Sequence, residues 1–282
     1  MKLSYYPGCS LKATAKEYDM SARAACQGLG IELVELDDWI CCGATCAHST
    51  NYMLSIALPS QNLALAQRAG MDLAIPCASC YSRVKKADYV LCNDEEMRRN
   101  IEDIVDFKYN GSVNVLSLVD VISQLGEKAI AEKVQKPLKG LKVVCYYGCL
   151  MVRPPEVTCF DNTEHPMLLD KIVKALGGEP IQWAYKTECC GASLSLTSKD
   201  VVHGMTGRII DAAKEVEAMA IVTACPMCQS NLEMRQPKDA NMPSLYFTEL
   251  IGLALGLPDT KKWFNLHLVN PNPLLQSLSL AD

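Results

Sequence analysis

The stretch Trp39-Ile40-Cys41-Cys42-Gly43-Ala44 returns 148 residues later as Thr187-Glu188-Cys189-Cys190-Gly191-Ala192. Each Cys-Cys-Gly run is preceded by a Gly-Cys dipeptide and followed, 36 residues after its first cysteine, by a Cys-x-x-Cys pair. Only the upstream spacing differs, at 32 residues in the first copy and 40 in the second. The first cysteine set is therefore Cys9, Cys41, Cys42, Cys77 and Cys80, and the second cysteine set is Cys149, Cys189, Cys190, Cys225 and Cys228.

The repeat period indicates two similar domains in one chain. The chain has 282 residues, of which 49% are apolar and 21% charged, as in ordinary globular proteins. A period of 148 residues is a normal domain length and is far too long for a solenoid repeat. The best linker is the Pro- and Gly-containing run 136–140. We therefore predict an N-terminal domain at 1–136 and a C-terminal domain at 137–282.

Charge and hydropathy exclude two classes of partner. The net charge of −5 and the pI near 5.5 argue against general nucleic-acid binding, which needs a basic face. No apolar run approaches 18 residues, so we expect no membrane span. The N-terminal stretch before Cys9 is too short in its apolar part to be a signal peptide. We expect a cytoplasmic protein.

Strands alternate with helices in both halves. The pattern predicts three strands per half, at Lys2–Tyr6, Ile31–Leu36 and Asp72–Ile75, and at Leu141–Tyr146, Ile181–Tyr185 and Ala220–Thr223. Such alternation is typical of an α/β fold, in which each half has a mainly parallel sheet flanked by helices. Every predicted strand runs toward cysteines, and the carboxyl ends of parallel strands meet at one sheet edge. We expect each cysteine set to gather there, with the two halves related by pseudo-two-fold symmetry.

Other segments complete this prediction. Asn51–Ala69 has a helical pattern that Pro59 should kink or split. Leu150–His165 has no periodicity and is predicted to be a loop, whereas Leu116–Val134 is predicted to be helical. The tail after Pro258 is predicted to be irregular.

The cysteines indicate metal binding. Their total of fifteen is odd, and without an export signal a disulfide framework is a poor explanation. Structural zinc and a cubane [4Fe–4S] cluster each take four ligands, but each set offers five. Adjacent thiolates chelate one small ion poorly, so the pattern favours a cluster of several metal atoms. At Gly8, Gly43, Gly148 and Gly191, glycine permits turns whose N–H groups can point at cluster sulfides.

The motif resembles the CCG domain, which is present twice in the B subunit of heterodisulfide reductase. The resemblance covers essentially the whole chain. It implies a Rossmann-like fold for each half and one noncubane [4Fe–4S] cluster on each of the two cysteine sets. It further implies that a small disulfide, the coenzyme M–coenzyme B heterodisulfide or an analogue, is reduced between the two clusters, each of which takes one sulfur. Electrons would come from a ferredoxin-like iron–sulfur subunit of the same complex, which is fed by a flavoprotein subunit that bifurcates electrons in anaerobic metabolism.

Two other functions stay open. The chain could be an electron-transfer subunit of a related oxidoreductase, as in the lactate-utilisation and glycolate-oxidase proteins that carry CCG repeats. It contains no ferredoxin-type cysteine run of its own, so in either role it needs an electron-transfer partner. A structural zinc protein is the third reading, and the fifth cysteine of each set counts against it.

Further candidates lie outside the two sets. His48, six residues after Cys42, is a candidate proton donor, and Arg153 is a candidate contact for an anionic substrate; the alternative for each is an ordinary loop residue. Tyrosines stand just before both Gly-Cys dipeptides and are predicted to be sheet residues that cover the clusters. His165 and His267 are predicted to be structural, and His203 is predicted to be a surface residue. The remaining cysteines are predicted to be buried small hydrophobes or incidental thiols: Cys26, Cys46, Cys92, Cys145 and Cys159.

Overall fold

The computed structural model describes residues 1–44 and 47–281. Within these ranges the chain forms two four-stranded, all-parallel sheets flanked by helices. The strands are β1 Lys2–Tyr5, β2 Glu32–Glu35, β3 Leu73–Ile75, β4 Val115–Ser117, β5 Lys142–Tyr146, β6 Glu179–Ile181, β7 Ala220–Thr223 and β8 Ser244–Tyr246. The helices are α1 Gly8–Ala13, α2 Lys16–Leu29, α3 Ala47–Thr50, α4 Tyr52–Ala69, α5 Ala78–Asn93, α6 Glu95–Val105, α7 Leu118–Ser123, α8 Glu127–Ala131, α9 Cys149–Val152, α10 Pro155–Thr158, α11 Leu168–Ala175, α12 Lys199–Glu215, α13 Pro226–Met234, α14 Phe247–Ala254, α15 Thr260–Phe264 and α16 Asn272–Ser277.

The two sheets have the same topology. Their strand orders are β2-β1-β3-β4 and β6-β5-β7-β8, and every neighbouring pair is parallel. The central strands β3 and β7 are buried along their whole length, as expected for parallel strands with helices on both faces. The predicted α/β fold with two similar halves is confirmed.

The number of strands per half was predicted wrongly. Each sheet has a fourth strand, β4 or β8, which is only three residues long and runs directly into a helix. A three-residue strand shows no alternation of its own, and its apolar residues merge with the pattern of the helix behind it. The prediction of a helix over Leu116–Val134 was wrong at its start for this reason.

Four smaller predictions also need correction. The strand predicted at Ile181–Tyr185 is β6, which begins two residues earlier, at Glu179, and ends at Ile181. The segment predicted to be a loop, Leu150–His165, contains most of the short helix α9 and all of α10, and the tail contains α15 and α16. Helix α4 is not split at Pro59. A proline inside a helix costs about 3 kcal/mol, and packing of α4 against α5 and α6 compensates for this cost.

The two halves pack against each other through two sets of equivalent helix–helix contacts. The helix that follows the first strand region of each half, α2 or α11, packs against the helix after the last strand of the other half, α14 or α7. Similarly, α1 contacts α13, and α5 contacts α9. These contacts bring the cysteine-bearing helices of the two halves together. The domain boundary between residues 136 and 137 stays a prediction.

In the described ranges, no helix combines the length and apolar character needed to cross a bilayer.

Candidate metal centres and the cavity between the halves

The cysteines lie at the carboxyl edges of the two sheets, as the alternation of strands and helices predicts. Cys77 and Cys225 follow β3 and β7 and are the N-cap residues of α5 and α13. Cys80 and Cys228 lie in the first turns of these two helices, and Cys9 and Cys149 lie in the short helices α1 and α9. The fold therefore collects cysteines that are up to 79 positions apart in the sequence.

The sulfur atoms form matching contacts in both halves. Cys42 Sγ lies 3.3 Å from Cys80 Sγ, and the equivalent pair Cys190 and Cys228 is 3.6 Å apart. In the first set, Cys9 Sγ and Cys41 Sγ are 3.8 Å apart. The described cysteines are all free thiols, and in the described ranges no three Cys, His, Asp or Glu side chains form a group that could hold a single metal ion.

Two glycines shape the backbone around these sulfurs. Gly8 and Gly148 have φ of +73° and +69°, in the left-handed region that favours glycine. A Cβ atom at Gly8 would lie 2.8 Å from Cys80 Sγ, and one at Gly148 would lie 3.1 Å from Cys228 Sγ. The chain therefore needs glycine at both positions to leave room for the sulfur.

The other two predicted glycines supply donors to sulfur. Gly43 N–H donates to Cys41 Sγ at 3.5 Å, and Gly191 N–H donates to Cys189 Sγ at 3.3 Å. Hydrogen bonds of this kind favour the thiolate and tune the potential of iron–sulfur clusters. Reduced sulfurs in contact, glycine-lined space beside them and N–H groups directed at them fit a bound iron–sulfur cluster on each set.

Two tyrosines fix the cysteine loops, a role that the sequence pattern did not predict. Tyr6 Oη donates to the carbonyl of Ile40 at 2.8 Å, and Tyr146 Oη donates to the carbonyl of Glu188 at 2.6 Å. Each carbonyl belongs to the residue directly before a Cys-Cys pair. Burial raises the pKa of both phenols, and the neighbouring cysteine sulfurs raise it further. A detectable signal existed, because each tyrosine stands two residues before its Gly-Cys dipeptide.

Hydrogen bonds among the thiols separate their pKa values. The bond from Cys41, with a second from Cys80, lowers the pKa of Cys42 well below the usual value for cysteine. The bond from Cys149 lowers the pKa of Cys189 in the same way. Each set thus contains at least one thiol that favours the thiolate, which is the form that binds metal.

A cavity lies between the halves, and its empty space, together with the open solvent at its mouth, amounts to about 630 Å³. All five cysteines of the second set line it. The first half contributes the small residues Ala44, Ala78 and Ser79, the imidazole of His48 and the guanidinium group of Arg83. The second cysteine set therefore faces a space into which a small molecule can enter.

The two candidates predicted outside the cysteine sets, His48 and Arg153, lie in different places. His48 lines the cavity, and burial together with the positive charge of Arg83 lowers the pKa of its imidazole. Arg153 is not among the residues that line the cavity. Its guanidinium donates to both carboxylate oxygens of Glu164, at 3.0 and 2.9 Å, and to the carbonyl of Thr187 at 3.1 Å. Its charge is thus paired within its own half.

Arg83 is a cavity residue that the sequence pattern did not reveal. Its Nε is buried and has no hydrogen-bond partner among the described residues. Burial lowers its pKa, and the nearby Cys42 sulfur opposes that shift. Arg83 therefore brings positive charge near both cysteine sets, and its Nε has no partner among the described residues. The position 148 residues later is Asn231, so the two halves differ here, and comparison of the repeats could have singled out Arg83.

The remaining predictions are met in different degrees. Cys26 and Cys145 are fully buried, whereas Cys92 and Cys159 are exposed thiols. Cys46 lies outside the described residues. His203 is exposed on α12. His267 lies between two acidic side chains that the sequence pattern did not indicate: its ring nitrogens are 2.8 Å from a carboxylate oxygen of Glu233 and 2.9 Å from one of Glu249. Burial alone would lower the pKa of His267, but the two carboxylates outweigh burial and raise the pKa to about 11.

Fold and site together define a duplicated α/β protein that presents two five-cysteine sets at the edges of parallel sheets. A family model described as a cysteine-rich domain, CCG, matches residues 3–85 and 143–233. The chain belongs to this CCG family and contains its domain twice.

Relatives of similar length have names from two kinds of redox enzyme. The chain is 32% identical to the 8-methylmenaquinol:fumarate reductase membrane anchor subunit of Wolinella succinogenes, over 97% of this chain and 99% of that protein. It is 28% identical to the B subunit of the ferredoxin/F420H2-dependent CoB-CoM heterodisulfide reductase of Methanosarcina acetivorans, over 92% and 91%. It is also 26% identical to a protein of Archaeoglobus profundus that is named as like the B subunit of heterodisulfide reductase, over 93% of both chains.

The fold is also found in a solved structure of another protein. A crystal structure of a hypothetical protein from Helicobacter pylori superposes with a TM-score of 0.73 at 11% identity, over 95% of this chain. The chain spans about half of that protein's length, 52%. The likeness concerns the fold alone.

Proposed function

We propose that the protein is the catalytic iron–sulfur subunit of a heterodisulfide-reductase-like complex. In this role it reduces a small disulfide, the coenzyme M–coenzyme B heterodisulfide or an analogue, to two thiols. The cofactors are two noncubane [4Fe–4S] clusters, one on each cysteine set. Relatives named as the B subunit of such reductases support this assignment.

One observation carries the proposal. All five cysteines of the second set line a single cavity to which the first half contributes His48 and Arg83. A closed structural metal site would not need a cavity beside all its ligands, whereas a catalytic site needs access for a substrate. The charge of Arg83 and the imidazole of His48 in the same cavity also suit the proposed reaction.

The reaction consumes two electrons and two protons for each disulfide and yields two thiols. When bound, the clusters supply the electrons. Arg83 is the proposed source of positive charge that stabilises the sulfur atoms of the substrate as they gain negative charge. His48 lines the same cavity and is the proposed donor to a product sulfur. Burial and Arg83 lower its pKa, so the imidazolium, once it has taken up a proton from solvent, is a stronger acid than that of a free histidine.

The cysteines need no exchange chemistry of their own in this scheme. Tyr6 and Tyr146 hold the backbone before each Cys-Cys pair, and Gly8 and Gly148 leave the space that the sulfurs occupy. The proposed partners are a ferredoxin-like iron–sulfur subunit of the same complex together with its flavoprotein subunit, which jointly deliver electrons. The chain lacks a ferredoxin-type cysteine run, so electrons must arrive from another protein.

The test is a reductase assay under strictly anaerobic conditions. The iron-loaded chain receives electrons from reduced methyl viologen and is offered the coenzyme M–coenzyme B heterodisulfide or 3,3′-dithiodipropionate. The expected result is two thiols for every two viologen radicals oxidised, and loss of this activity in Cys149→Ser. Cys159→Ser, which removes an exposed thiol outside both sets, is the matched control and keeps the activity. Iron-loaded protein that oxidises no viologen with either disulfide would contradict the proposal.

A second candidate function is electron transfer within a quinol-linked reductase. The observation that favours it is the 32% identity, over nearly the full length of both chains, to one component of an 8-methylmenaquinol:fumarate reductase. In that case menadiol would reduce the iron–sulfur chromophore, and no disulfide would reoxidise it. The same preparation therefore distinguishes the two functions.

A further inference from the structure

One phenol joins the two halves at the place where the cysteine sets meet. Tyr18, on α2 of the first half, has no solvent exposure. Its hydroxyl lies 2.9 Å from the carbonyl oxygen of Pro76 and 3.1 Å from that of Ala224. Pro76 and Ala224 directly precede Cys77 and Cys225, which belong to different sets. A phenol has one proton, so it donates a three-centre hydrogen bond to both carbonyls.

The two cysteine sets approach each other at this point. The cysteine-bearing helices α1 and α5 of the first half contact α13 and α9 of the second half. Cys77 and Cys225 follow the buried central strands β3 and β7, so each is held by the sheet of its own half. The hydrogen bonds from Tyr18 to the residues before both cysteines therefore link the two sheets where the sets are near each other.

Aromatic residues of the second half pack against the ring of Tyr18. Its ring stacks on Tyr246, with the centroids 4.0 Å apart and the planes within 6° of parallel. Phe247 contacts the same ring edge-on, with centroids 6.5 Å apart. Three residues further along α2, Ser21 Oγ and Thr248 Oγ1 are 2.7 Å apart, which ties the same helix to α14. The hydroxyl of Tyr18 is thus aimed at the two carbonyls by aromatic packing from the other half.

We propose that Tyr18 is a positioning residue that sets the separation of the two clusters and so controls electron exchange between them. The inference rests on the proposed function, because it requires both cysteine sets to hold clusters. One residue serves both sets, since its hydroxyl donates to the carbonyl directly before a cysteine of each set. Removal of that hydroxyl leaves both carbonyls without this donor and frees the ends of β3 and β7 to separate.

The test is electron paramagnetic resonance of the anaerobically prepared, iron-loaded full chain, poised so that both clusters are paramagnetic. Spin–spin interaction between neighbouring clusters splits and broadens their signals and falls steeply with distance. Tyr18→Phe should keep the iron content and lose or narrow the splitting. Two controls should keep the splitting: Ser21→Ala, which removes another buried bond between the halves from the same helix, and Tyr81→Phe, which removes the 2.8 Å bond from Tyr81 to the carbonyl of Thr158.

An unchanged splitting in Tyr18→Phe would overturn the inference, as would an equal loss in the two controls. If Tyr18→Phe does not retain iron, Tyr246→Leu takes its place, because it removes the ring behind Tyr18 and leaves the hydroxyl. Tyr246→Leu should weaken the splitting, and a wild-type spectrum would overturn the inference. Failure of the proposed function appears separately, as a wild-type chain that binds iron but reduces no disulfide.

Discussion

The glycines beside the cysteine sets allow a test in which the backbone strain and the loss of sulfur space can be separated. Gly8→Ala forces alanine into a φ of +73°, which costs about 1 kcal/mol for an L-residue. It also places a Cβ atom 2.8 Å from Cys80 Sγ. Heavy atoms in contact are normally about 3.5 to 4.0 Å apart, so the sulfur must move by roughly 1 Å. Metal–ligand distances tolerate shifts of only about 0.2 Å.

We therefore expect Gly8→Ala to lose the iron of the first set, and Gly148→Ala, whose Cβ would lie 3.1 Å from Cys228 Sγ, to lose the iron of the second set less completely. Gly30→Ala is the matched control, because Gly30 has φ of +83° and no atom within 4 Å of the added Cβ. It should lose about 1 kcal/mol of stability and keep all its iron. The assay is iron and sulfide per chain after anaerobic purification, with thermal unfolding measured alongside. A Gly8→Ala protein with the full iron content and the wild-type spectrum would refute the reasoning.

Three more predictions follow from the site. Tyr146→Phe should lower the free energy of unfolding by about 2 kcal/mol, and Tyr6→Phe should lower it by only about 1 kcal/mol. The loss is smaller for Tyr6→Phe because the side chain of Asn62 still donates to the carbonyl of Ile40. Equal losses in thermal unfolding would contradict this prediction. In spectroscopic titrations of the iron-loaded protein, Arg83→Gln should weaken binding of the anion 3-mercaptopropionate by about tenfold and leave binding of the neutral 3-mercaptopropanol unchanged. An equal loss of affinity for both thiols would show that the charge of Arg83 does not contribute to binding. Burial raises the pKa of Glu17 from 4.5 to about 7, so ionisation of its carboxyl group destabilises the fold as pH rises through 7. Glu17→Gln should therefore stabilise the protein by up to about 3 kcal/mol at pH 8 and not at pH 4. A gain in stability that is the same at both pH values would show that ionisation of Glu17 is not its cause.

The repeated spacing of the cysteines predicted two similar halves with parallel sheets, because cysteines that are far apart in sequence can meet only where parallel strands end. Strands that each end at a cysteine must be parallel if the cysteines are to meet, and the structure has two all-parallel sheets. The fourth strands could not be recognised, because β4 and β8 are three residues long and continue into apolar helices.

The roles of the cavity and interface residues depend on contacts between distant parts of the chain. Tyr18 bonds to residues 58 and 206 positions away, and no local pattern announces such contacts. Arg83 was detectable in principle, since its counterpart in the second half is asparagine. His48, whose counterpart is Leu196, was proposed from its nearness to Cys42 and does line the cavity. Arg153, four residues after Cys149, was proposed as a contact for an anionic substrate but is paired with Glu164.

The most direct test of the central claim is metal analysis of the anaerobically purified full chain. Two four-iron clusters predict about eight irons and about eight acid-labile sulfides per chain. They also predict visible absorbance that is lost by half when either Cys41 or Cys189 is replaced by serine. Stoichiometric zinc without visible absorbance would contradict the account, as would about four irons that survive loss of either cysteine.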